Sequence, residues 1–182
     1  MKIFGKKSLS SFLQIVFKFA FYMALIQGII VSIWIGLGML FYTLGIKNSI
    51  AELILEGERF QLVSALIDGK IQGHGPYYIT LLAIIGVFIG FILLFKWLTD
   101  LFKEFSSGSI FKQSVTTFLY RLTLLMVGAI GYRLIILICY SSINVDDRLF
   151  LIFNIFCAIL FYFIAKLIEQ GIPLQEEQEL TV

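Results

Sequence analysis

The chain predicts an all-α fold: an integral membrane four-helix bundle with both termini cytoplasmic. Composition is the first observation behind that expectation. Its 182 residues are 59% hydrophobic and only 14% charged, with a mean hydropathy of +0.96, whereas soluble domains carry about a quarter charged residues. Too little charge is present to coat a water-exposed globule, so lipid must solvate much of the surface. The second observation is four apolar runs bounded by charge, each near the ~20 residues that cross the hydrocarbon. They cover about Phe19–Gly45, Tyr77–Trp97, Phe118–Tyr140 and Leu149–Ile168. The third is the distribution of basic residues. Lys2, Lys6, Lys7, Lys18, Lys96, Lys103, Lys112, Arg121 and Lys166 fall on one side of the four crossings, against Lys47, Arg59, Lys70 and Arg148 on the other. The richer side is cytoplasmic by the positive-inside rule. The expected location is therefore the plasma membrane, as one four-span domain over residues 1–182.

At the N-terminus, Lys2, Lys6 and Lys7 resemble the start of a signal peptide. Lys18 interrupts the apolar stretch, however, and no small-residue cleavage site ends it, so the segment reads as a retained anchor. Lys18, Lys96 and Lys166 stand at the inner ends of their spans, where long stems reach the headgroups. Along the first span Gly28, Ser32 and Gly36 recur every four residues, and the second carries Gly86 and Gly90. Small residues at this spacing let helices approach closely, either within the monomer or in a homo-oligomer.

The outer loop, 46–76, carries Ile50, Leu53, Ile54, Leu62, Val63 and Leu66. Their spacing predicts an amphipathic helix, with a turn at Asp68-Gly69 as the alternative. His74, the single histidine, reads as a solvated loop residue rather than a metal ligand or pH sensor. The inner loop, 98–117, is expected to be helix, sharp turn, helix. Trp97, Leu98, Leu101, Phe102 and Phe105 share a face, Gly108 offers a stop, and Ser109 offers an N-cap before Phe111. That apolar face suits the membrane interface or a docking platform.

Arg133 is the costly residue of the third span, placed near its middle, where arginine costs at least about 2.5 to 3.5 kcal/mol. No acid lies deep in a span, so its candidate partners are neutral: Asn154, Gln27, Ser32 or backbone carbonyls. It either ties helices together or lines a polar cavity for an anion, headgroup or small ligand. Beyond the fourth span, the tail 169–182 carries Glu169, Glu176, Glu177 and Glu179 with Leu174 and Leu180. Gly171 is expected to end the helix and Pro173 to open a second short segment. Like charge repels this tail from an anionic leaflet, which leaves the chain's own lysines or a basic protein as its partner.

No paired acids, metal-ligand set, activated nucleophile or phosphate-cradling loop appears, so neither enzyme chemistry nor a cofactor is expected. Cys139 and Cys157 lie inside apolar runs and read as small hydrophobes. A net charge of +2 without a basic, aromatic-interleaved face excludes direct nucleic-acid binding.

Two stretches, "FKEFSSGSIFKQSV" and "AKLIEQGIPLQEEQELTV", resemble an uncharacterised bacterial family known as domain of unknown function 2975. Its G-x-x-F element is matched by Gly108 to Phe111, and its acidic tail by Glu169 to Val182. The resemblance implies a four-span protein whose relatives are often encoded beside a small Cro-like helix-turn-helix regulator. On that basis Gly108, Phe111 and the tail residues Glu169, Leu174, Glu176, Glu177, Glu179 and Leu180 are the expected docking elements for a small cytoplasmic DNA-binding regulator. The rival expectation is a small transporter, channel-like or toxin-immunity protein with Arg133 in a polar interior. Assistance in assembling another membrane complex is a third.

Overall fold

The computed structural model describes residues 8–46, 51–56, 59–64, 69–74, 77–107, 110–140 and 145–180. Four long helices carry most of it: α1 (Leu9–Thr43), α2 (Tyr77–Ser106), α3 (Gln113–Tyr140) and α4 (Val145–Leu180). All four are long and apolar enough to cross a membrane. The 36 residues of α4 measure about 54 Å at the helical rise, well beyond the ~30 Å hydrocarbon. Large apolar side chains stay uncovered along the helices, among them Phe12, Phe19, Ile33, Ile152, Phe156 and Phe163. Such a surface suits lipid as its solvent. The chain divides into two compact units, Met23–Ile89 and Met1–Tyr22 with Gly90–Val182.

Within Met23–Ile89, the segment between α1 and α2 is a sheet, which corrects the expected amphipathic helix. Strands β1 (Glu52–Glu56), β2 (Arg59–Ser64) and β3 (Gly69–His74) form an antiparallel meander in the order β1-β2-β3. Leu53 pairs with Leu62 and Leu55 with Phe60 across β1 and β2. Ala51, Leu53, Phe60 and Leu62 are buried at alternate positions and pack with Trp34, Ile35 and Leu81 of the helices. The period is therefore two. Ile54 and Val63, which had suggested a helical stripe with Leu53 and Leu62, occupy the opposite face. Ile50 and Leu66 lie outside the described residues. Ser64 pairs with Gly69; the Asp68 half of the alternative turn lies outside the described residues, and Gly69 begins β3.

Two glycines hold this unit's geometry. Gly45 adopts a φ of 67° just past α1, where L side chains are strained. Ile46 N–H donates to Phe41 O at 2.9 Å and Gly45 N–H to Tyr42 O at 3.2 Å, the paired bonds of a Schellman stop. Gly38 leaves room for the Leu62 side chain, which any Cβ there would strike. A Cβ at Gly36 or Gly90, by contrast, would meet no described atom within 4 Å. Among the described residues, the close approach expected of these small-residue stripes is thus not made at those two positions.

In the other unit, α1 starts earlier than the first apolar run. Phe12 N–H bonds Ser8 O at 3.2 Å, and the Ser8 and Ser10 hydroxyls meet at 2.6 Å. Phe17 then stacks on Phe95 and Phe102, with ring centroids 6.5 and 5.3 Å apart. Leu101, Val115, Leu119, Leu122, Ala165 and Ile168 form a core joined by Trp97, Leu98, Phe105 and Ile110. This corrects the interfacial expectation for the inner loop: most of its apolar face packs on α3 and α4.

Candidate functional site

The α2–α3 connection is closed by polar contacts at its base. Ser106 and Ser107 hydroxyls donate to the Lys103 and Glu104 carbonyls at 2.7 and 2.6 Å, and the Glu104 carbonyl also accepts the Ser107 N–H at 3.0 Å as α2 ends. Lys112 Nζ donates to Ser107 Oγ at 2.7 Å and lies 3.9 Å from Glu104 Oε2. Lys112 O then accepts the Val115 N–H at 3.0 Å as α3 begins. Gly108 and Ser109, the expected stop and cap, lie outside the described residues. The helical resumption is nevertheless later than Ser109 implied.

Along α3 and α4, Ala165 is fully buried beside Leu122, bringing the two helices close enough for a polar contact at their edge. Tyr120 Oη donates to Glu169 Oε2 at 2.7 Å, and Lys166 Nζ donates to the same oxygen at 2.9 Å. Lys166 and Glu169 share a helix face because they stand three residues apart. The Lys166 ammonium also lies 5.8 Å from the Tyr120 ring centroid, and Tyr162 packs 6.0 Å from that ring. Glu169 is thus fixed by two donors, one from each helix. The K-x-x-E pair was visible in the sequence, but Tyr120 is 49 residues away along the chain, and no local pattern announces it.

Two residues later, the Phe111 ring occupies the space that a Cβ on Gly171 would need. The inner-loop and tail elements singled out by sequence therefore meet through Phe111 and Gly171. The expectation that Gly171 ends the helix and Pro173 opens another is corrected: α4 runs without interruption to Leu180, with Pro173 inside it. Contact with Phe111 supplies a reason for glycine that is unrelated to termination. Leu174 is 61% exposed, and Glu177 is exposed three residues further along the helix. Glu176, Glu179 and Leu180 continue the helical backbone, while their side chains lie outside the description.

Arg133 falls seven residues before Tyr140 at the end of α3, about 10 Å at the helical rise. Its guanidinium carbon lies 5.9 Å from the Phe150 ring centroid, near the start of α4. Asn154 is 4% exposed and donates its amide to Phe150 O at 2.7 Å. Arg133 and Asn154 are thus gathered around Phe150, though this amide bond is made within α4. Gln27 is exposed on α1, in the other unit, and Ser32 is half-buried there.

Among the described residues no group of three or more His, Cys, Asp or Glu side chains is placed to hold a metal ion. Cys157 is a half-buried free thiol, while the side chains of His74 and Cys139 lie outside the description. No protein-family model, curated protein or solved structure matches the chain.

Proposed function

We propose that the chain is a non-enzymatic multi-pass protein of the bacterial inner membrane that regulates, or senses on behalf of, a small cytoplasmic helix-turn-helix transcription regulator. In this reading both termini and the α2–α3 loop are cytoplasmic, and the β-sheet unit faces outward. One observation carries it: α4 extends past its apolar stretch as a helix presenting Leu174 and Glu177 on one face. An apolar handle beside acidic charge suits a basic protein surface. Exposed ion pairs contribute about 0 to 1 kcal/mol each, so burial of Leu174 must supply much of the affinity. The resemblance of the Gly108–Phe111 and Glu169–Val182 stretches to domain of unknown function 2975 supports the same partner class.

Co-purification from detergent-solubilised membranes tests the reading, comparing the intact chain with a truncation after Gly171. The expected result is loss of a small basic DNA-binding protein from the truncated sample. An unchanged set of cytoplasmic partners removes the tail from the mechanism.

A further inference from the structure

We infer that the end of α4 is a conditional helix latched by Phe111: seating of its ring on Gly171 decides whether residues 172–180 are helix or coil. The inference does not depend on a cytoplasmic partner. Gly171 and Pro173 stand inside α4, and together they disfavour helix roughly a thousandfold relative to two alanines. Proline has no N–H, so the Glu169 carbonyl one turn back lacks its helical donor. The nine residues 172–180 are also fewer than the ~12 to 15 at which an isolated helix becomes even marginal in water. Helical continuation across this hinge therefore needs tertiary support.

The surroundings of the hinge provide it. Upstream, Glu169 is held by Tyr120 at 2.7 Å and Lys166 at 2.9 Å. At the hinge itself the Phe111 ring fills the notch left by the missing Cβ of Gly171. The loop presenting that ring is fastened by Lys112 to Ser107 and by Ile110 packed against the core. Phe111 nevertheless remains 43% exposed, so the ring can leave its seat without opening that core. The loop and the tail are thereby coupled: unseating the ring removes support at the point where the helix is weakest.

Hydrogen exchange on the full chain in detergent micelles tests the latch. Phe111→Ala is expected to speed exchange of the 174–180 amides about tenfold, the effect of losing roughly half the burial of an aromatic side chain, while 158–168 keep wild-type rates. Adding Pro173→Ala to that variant restores the slow tail, because the helix regains its donor. Pro173→Ala alone slows the tail below the wild-type rate and serves if the Phe111 variant does not accumulate. An unchanged tail in Phe111→Ala, loss of protection spreading to 158–168, failure of Pro173→Ala to restore it, or no slowing in Pro173→Ala alone would each overturn the latch.

Discussion

At Glu169 a single carboxylate oxygen gathers a phenol from α3 and an ammonium from its own helix. The Lys166 and Glu169 side chains remain 47% and 43% exposed, so water competes for both. Tyr120→Phe should consequently cost less than about 1 kcal/mol, read as a small shift in thermal unfolding with helix content unchanged. Gly38 presents the opposite case, since its missing Cβ lies where the Leu62 side chain packs. Gly38→Val should destabilise the sheet unit by about 1 to 3 kcal/mol through overpacking, and exchange at residues 52–63 reports it. Arg133 lies beside Phe150, seven residues before the end of α3, and its long stem lets the guanidinium sit away from its own Cα. Arg133→Leu should leave the protein accumulating at near wild-type levels; a collapse in membrane accumulation would assign the residue an indispensable role in assembly.

At the scale of elements, the long apolar helices and the stop at Gly45 were legible because each rests on local signals: uninterrupted hydrophobicity, and a glycine at the last turn. The sheet was not. Leu53 and Ile54, or Leu62 and Val63, are adjacent pairs that satisfy a helical stripe as readily as alternating faces, and Ala51 is too small to reveal the inward parity. Pairing of Leu53 with Leu62 across two strands decided the matter. Leu62→Ala should cost about 2 to 5 kcal/mol and make 51–64 protease-sensitive while the helices stay intact. The tail was misread for a related reason. Gly171 and Pro173 are genuine helix breakers, but Phe111 packs where the glycine leaves space, and long-range contact overrides propensity. Phe111 and the tail were each singled out by sequence; their meeting was not, because 60 positions separate Phe111 from Gly171.

Across the whole molecule, four long helices with uncovered Phe, Ile and Leu side chains suit an apolar solvent, and four crossings, as proposed, would return the chain to the side on which it began. In the proposed arrangement the excess of lysine and arginine assigns that side to the cytoplasm, and the acidic end of α4 would be offered to basic partners there. Site-specific cysteine labelling tests this arrangement most directly, in a background lacking Cys139 and Cys157. Glu177→Cys should react with a membrane-impermeant maleimide only after the cells are permeabilised, whereas Gln61→Cys, in the sheet, should react in intact cells. Labelling of Glu177→Cys in intact cells would contradict the account.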